Sequence, residues 1–202
     1  MSNGSNPSFS PNIYFDTTFD IDAAKILPGE YYVTKRDMVL VTVLGSCVAA
    51  CIRDKVTGIG GMNHFMLPDI NRENHEPNSI SARYGSYAME MMINQLLKIG
   101  ARKSNLEAKL FGGGSVLRGF TSINVGTRNA EFAQDYLHNE NIPIVSEDLL
   151  DNCPRKIYFF PSSGRVLVKK LRSMHNKTIA DREQAYSSNL KVADIQGDVE
   201  LF

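Results

Sequence analysis

The sequence carries no surplus of either charge: 22 Lys and Arg residues stand against 22 Asp and Glu. Non-specific nucleic-acid binding needs a basic excess to release counterions, so this balance excludes nucleic acid as a partner. No apolar run approaches the length of a membrane-spanning helix, which excludes membrane insertion by that route. Cysteine is scarce: the three present, Cys47, Cys51 and Cys153, are an odd number at no scaffold spacing. A disulfide framework is therefore excluded, and reduced thiols are expected. Met1–Asn12 has neither the basic start nor the apolar block of an export signal, so a cytoplasmic location is expected. No segment repeats. What is present is globular in character, with 43% hydrophobic and 22% charged residues in a chain of 202. A chain of this size buries about 70% of its unfolded surface, enough for a core without disulfides or metal.

The pattern along the chain predicts a disordered tail at 1–12, one domain over 13–173 and a polar C-terminal extension over 174–202. In that extension, Val199, Leu201 and Phe202 are expected to dock the end on the body. Short runs rich in β-branched residues predict strands at Tyr31–Lys35, Met38–Val43, Val48–Arg53, Gly58–Phe65, Lys109–Phe111, Ile142–Ser146, Arg155–Phe160 and Arg165–Leu171. Three- and four-residue apolar spacing predicts helices over Ser81–Ile99, with Gly100 as its cap, and Asn129–Asn139. The methionines Met89, Met91 and Met92 read as core packing. Strands outnumber helices without regular alternation. The expected fold class is therefore α+β, a mixed β-sandwich with helices packed outside, rather than a doubly wound nucleotide-binding sheet.

The sharpest local feature is Leu44-Gly45-Ser46-Cys47. Gly-Ser before a cysteine predicts a tight bend between two strands. Such a bend exposes backbone N–H groups, those of Ser46 and Cys47, that can hold an oxyanion beside a thiol nucleophile. His64 follows 17 residues later, after a strand, a turn at Asp54–Gly58 and a second strand. An antiparallel hairpin of that length brings Cys47 and His64 to the same end of the sheet, where His64 serves as the base. A third group should orient the imidazole. Thr42 offers a hydroxyl, and Asp37 and Asp69 offer carboxylates; spacing alone leaves the choice open.

Other features carry less. Phe111-Gly112-Gly113-Gly114-Ser115 lacks the Lys-Ser/Thr of a P-loop and reads as close backbone packing beside the site. Neither Cys-x-x-Cys nor His-x-x-x-His spacing occurs, so no metal and no cofactor are expected. Between Asn152 and Ala180 there is no acidic residue. Arg155, Lys156, Arg165, Lys169, Lys170 and Arg172 fall there and are expected to form a basic docking surface for an acidic partner.

Taken together, Thr42-Val43-Leu44-Gly45-Ser46-Cys47-Val48 and Gly60-Gly61-Met62-Asn63-His64-Phe65-Met66-Leu67-Pro68 resemble the chemoreceptor glutamine deamidases of the CheD family. So do Arg83-Tyr84-Gly85, Ala108-Lys109-Leu110-Phe111-Gly112-Gly113-Gly114 and Val125-Gly126-Thr127-Arg128-Asn129, in that family's order and spacing. The resemblance runs from about Gly29 to Leu171. It implies a sandwich of the cytotoxic-necrotizing-factor type and a triad of Cys47, His64 and Thr42. It also implies hydrolysis of glutamine side chains to glutamate on the cytoplasmic helices of methyl-accepting chemotaxis receptors. A CheC-type phosphatase is an implied further partner, and glutamyl methyl esters an implied further substrate. An imidazolium beside the thiol would keep Cys47 as a thiolate at neutral pH. The competing expectation is a non-catalytic adaptor that binds receptor or phosphatase and keeps only the fold.

Overall fold

The computed structural model describes residues 12–68, 80–115, 123–171 and 176–192. Two five-stranded sheets stack face to face, and two helices cover one of them. The first sheet holds β1 (Asn12–Asp16), β2 (Ile21–Lys25), β4 (Val39–Leu44), β9 (Arg155–Phe160) and β10 (Arg165–Lys170), side by side in that order. The second runs β3 (Tyr31–Thr34), β6 (Gly60–Asn63), β5 (Val48–Asp54), β7 (Leu106–Gly112), β8 (Ile144–Leu149). Most pairs are antiparallel; β2–β4 and β7–β8 are parallel. The expected α+β sandwich with outer helices is what the chain forms.

Side-chain alternation assigns the layers. On β5, Val48, Ala50 and Ile52 face the helices, while Ala49 and Cys51 face the other sheet. Met89, Met92 and Leu96 of α1 (Ile80–Lys98) fill the outer layer with Ala130, Ala133 and Leu137 of α2 (Ile123–Asn139). Each fully buried Met or Leu contributes roughly 1.5–3 kcal/mol of transfer free energy. On β4, Leu40 and Leu44 face the inter-sheet layer, and Val39 and Val41 face away, under Phe19 and Phe160. Thr42 shares the parity of Leu40 and Leu44, so it points between the sheets.

Three elements, β1, β2 and α3, depart from the expected set. β1 begins at Asn12 and forms a hairpin with β2, where the sequence pattern gave only a polar start. The polar extension contributes a third helix, α3 (Asn176–Val192). The expected docking of Val199, Leu201 and Phe202 lies outside the described residues. No helix among the described residues is long and apolar enough to cross a membrane.

Candidate active site

β5 and β6 pair antiparallel, with Cys51 opposite Met62, and the register continues to a bridge between Val48 and Phe65. His64 is thereby returned beside the Gly45–Cys47 bend, as hairpin geometry requires. Cys47 and His64 both take the inward parity of their strands and meet Thr42, which arrives from the opposite sheet. All three are buried, at 0%, 2% and 1% exposure. The backbone of His64 is clamped in turn: its N–H donates to Glu30 O at 2.9 Å, and its carbonyl accepts from Gly29 N at 2.7 Å.

The hydroxyl of Thr42 donates to Ile26 O at 2.8 Å. That uses its only proton, so toward His64 Nδ1, also at 2.8 Å, it acts as acceptor. Nδ1 must then carry the proton of the neutral imidazole. Nε2 is left with its lone pair, and it has no hydrogen-bond partner among the described residues. Of the three groups offered by the sequence, Thr42 is the one in contact with the ring. Asp37 is exposed and accepts from Ser162 Oγ at 2.6 Å, and Asp69 lies outside the described residues.

The bend itself is held by backbone. Gly113 N donates to Cys47 O and Gly114 N to Gly45 O, both at 2.8 Å. Gly112 has φ +112°, and a Cβ there would lie 2.1 Å from Cys47 O. The triple glycine is therefore close backbone packing against the site, not a phosphate cradle. The Asn129 amide on α2 ties the bend to the strand exit, donating to Ser46 O and accepting from Leu67 N, both at 2.9 Å.

With its carbonyls so occupied, the bend aims three N–H groups at one point. A carboxylate fills that point: Glu183 of α3. It accepts from Gly45 N and Ser46 N at 2.8 Å, Cys47 N at 3.2 Å and Ser46 Oγ at 2.7 Å. Converging N–H groups of this kind form a nest that stabilises negative charge. The sequence indicated the N–H groups of Ser46 and Cys47; Gly45 is the third, and Glu183 was not indicated. Its only trace in the sequence is a stripe of Ile179, Glu183 and Tyr186 at helical spacing in a polar segment.

These surroundings set the protonation states. Desolvation pushes the Cys47 thiol well above its ordinary value, and the charge and hydrogen bond of Glu183 push the same way. Desolvation lowers His64 to about 4, although the Glu183 charge acts in the opposite direction. The expected thiolate–imidazolium pair is thus corrected: with α3 docked, thiol and imidazole are both neutral. Cys47, His64 and Glu183 offer S, N and O donors within 4.8 Å of one another, types that suit zinc. The Glu183 oxygens are already taken by four hydrogen-bond donors, and burial opposes the thiolate a metal needs. The donor set is that of an anion site beside a thiol. A cleft of about 340 Å³ reaches His64 and Thr42 from outside, between Ile179 and Lys156.

Of the residues expected to form a basic surface, Arg155 is removed by burial and Lys170 is paired with acids. Arg155 is wholly buried: it donates to Asp148 Oδ1 at 2.5 Å and to the carbonyls of Asp148 and Leu150, and so belongs to the fold. Lys170 pairs with Asp151 at 2.9 Å and Asp148 at 3.8 Å, acids that precede the acid-free stretch but return beside it. The Lys156 ammonium lies 4.7 Å over the Tyr158 ring, and the Arg165 guanidinium 4.5 Å over Phe160. Lys169 is exposed on β10, and Arg172 lies outside the described residues. Cys51 and Cys153 are buried and form no disulfide, as expected of reduced thiols.

Fold and site together define an α+β sandwich that encloses a cysteine–histidine pair facing an anion-holding nest. A family model described as CheD chemotactic sensory transduction matches residues 66–170. A probable chemoreceptor glutamine deamidase CheD of Janthinobacterium sp. (strain Marseille) is 63% identical over 202 residues, covering 100% of both chains. A protein of the same description from Methylobacillus flagellatus is 63% identical over 203 residues, again 100% of both. One from Shewanella oneidensis is 56% identical over 192 residues, 95% of this chain and 93% of that one. Among solved structures, the hypothetical protein YfiH of Bacillus licheniformis has a TM-score of 0.39 at 13% identity, over 60% of this chain and 51% of that one. The chain belongs to the CheD family.

Proposed function

We propose that this protein hydrolyses glutamine side-chain amides of chemoreceptors to glutamate, with Cys47 as nucleophile. The observation that carries the reading is the nest at Gly45–Cys47: three N–H groups that hold a carboxylate beside a thiol are built for the oxyanion of acyl transfer. The relatives' descriptions supply the substrate class, glutamine on chemoreceptors.

His64 Nε2 takes the thiol proton and the Cys47 sulfur attacks the amide carbon. The developing oxyanion lies in the nest, where N–H groups already fixed by the fold need no reorganisation. His64 passes the proton to the departing nitrogen, which leaves as ammonia. A water entering through the cleft gives a proton to Nε2 and attacks the thioester carbon; the C–S bond breaks, the proton returns to the Cys47 sulfur, and glutamate is released. Thr42 is a positioning residue: it holds the Nδ1–H tautomer so that Nε2 faces the sulfur. The site of action is the cytoplasm, on the receptor's cytoplasmic helices, and a CheC-type phosphatase is a further partner for the same surface.

A receptor fragment incubated with the protein should release ammonia in step with a gain of about one mass unit at particular glutamines. Cys47→Ala should abolish both. Binding of the fragment without either change would favour the non-catalytic adaptor.

A further inference from the structure

Nothing in a deamidation mechanism calls for a carboxylate of the enzyme's own in the oxyanion nest. Yet Glu183 is 2% exposed there, accepts four hydrogen bonds and lies within 4.8 Å of both Cys47 Sγ and a His64 ring nitrogen. A carboxylate in that place is the product of glutamine hydrolysis in form and position. We infer that the surface over the Gly45–Cys47 nest is a docking site for a helix, and that α3 occupies it as a built-in product mimic that a substrate helix must displace. This rests on the deamidase reading above and extends it to the form of the substrate and to its control.

The contacts of α3 describe what the site accepts. Ile179 and Glu183 are buried and Tyr186 is half-buried, while Thr178, Asp181, Arg182, Gln184 and Ala185 are exposed. Among the described side chains, a narrow stripe spaced four and then three residues carries the contact. Ile179 lies against the cleft with Ile26, Leu27 and Pro28, and the Tyr186 hydroxyl meets that of Tyr84 on α1. The ligand class is thus an α-helix with an apolar residue four before the reacting side chain and a ring or other flat group three after it. While α3 is docked, the nest is occupied, Cys47 is 0% exposed, and the Glu183 charge opposes thiolate formation.

The geometry makes a further activity testable in the full chain. In Glu183→Gln, the carboxamide would occupy the substrate position. Cys47 sulfur would bond to its carbonyl carbon, and the C–N bond would break with ammonia leaving on the proton from His64. Water would then cleave the C–S bond, restoring the thiol and leaving glutamate at that position. Peptide mass spectrometry should find the introduced amide converted to acid in Glu183→Gln, and unconverted in the double variant with Cys47→Ala. In parallel, Glu183→Ala and Ile179→Ser should each speed iodoacetamide labelling of Cys47 by about tenfold or more, the factor that losing one charged hydrogen bond at Glu183, or one buried apolar side chain at Ile179, corresponds to. If the introduced amide persists while the wild-type protein deamidates a receptor fragment, the product-mimic assignment is overturned and the deamidase reading stands. If the introduced amide persists and the wild-type protein converts no receptor glutamine, the deamidase reading fails. The labelling rates then decide the docking: unchanged rates in both variants overturn it as well.

Discussion

Replacing Thr42 by Val keeps the shape of the side chain and removes its hydroxyl. Two buried groups lose their partner at once, the Nδ1–H of His64 and the carbonyl of Ile26, each held at 2.8 Å. An unsatisfied buried group costs about 1–3 kcal/mol, so stability should fall by a few kcal/mol. For a chain of this size each kcal/mol lowers Tm by roughly 2–4 °C. The kinetic effect is separate. In the transition state the ring is an imidazolium, and a charge-assisted hydrogen bond to it is worth about 1.5–3 kcal/mol. That corresponds to a loss of about ten- to a hundredfold in kcat. Thr42 does not contact the nest, so KM for a receptor fragment should change little. Thr42→Ser keeps the hydroxyl and should recover most of the rate. Thermal melts read the stability loss, and steady-state kinetics on a receptor fragment read kcat and KM. A Thr42→Val protein with unaltered kcat, or a Thr42→Ser protein as inactive as Thr42→Val, would refute the positioning role.

Further outcomes follow from the same geometry. Gly112→Ala places a Cβ 2.1 Å from Cys47 O at a φ of +112°, so activity should be lost with destabilisation, visible together in turnover and thermal melts. Stability should also depend on pH through the buried pair. His64 is held near 4 against an ordinary 6.5, so the unfolded chain binds the extra proton between those values; stability is full above pH 6.5 and falls by on the order of 3 kcal/mol as pH drops toward 4. Cys47 is raised above its ordinary value, so a second loss should appear as pH rises past 9. Urea melts from pH 4 to 10 should trace a plateau between the two, and a flat profile across pH 4–6.5 would contradict the burial of a neutral imidazole. Reversing Lys169 to Glu should lower kcat/KM at low salt by no more than a few fold, because the cations near it are already matched by Asp148 and Asp151.

The sequence spoke most clearly where the signal was local. The Gly45-Ser46 bend and the hairpin arithmetic from Cys47 to His64 needed only strand length and a turn, and the observed register agrees. Thr42 was harder. Every residue of β4 is apolar or small enough to be buried, so no alternation marks which face looks inward; only the opposing sheet decides it. β1 escaped because Ile13, Tyr14 and Phe15 remain exposed and acquire a strand's hydrogen bonds only through β2. Glu183 escaped for a related reason. A helix whose described buried or half-buried contacts include only Ile179, Glu183 and Tyr186 against the site, in an otherwise polar segment, leaves almost no periodicity to read. Arg155 and Lys170 were counted with the basic surface because charges were read along the chain, whereas Asp148 and Asp151 approach these two from the adjoining segment in space.

The central claim is that the receptor glutamine passes through a covalent bond to Cys47. Its most direct test is an acid quench of the protein early in reaction with a receptor fragment, followed by mass mapping of the Cys47 peptide. The account expects that peptide to carry the glutamine-bearing fragment less one ammonia, joined as a thioester that hydroxylamine releases. Full-rate deamidation by Cys47→Ala, with no adduct on the wild-type thiol, would contradict it.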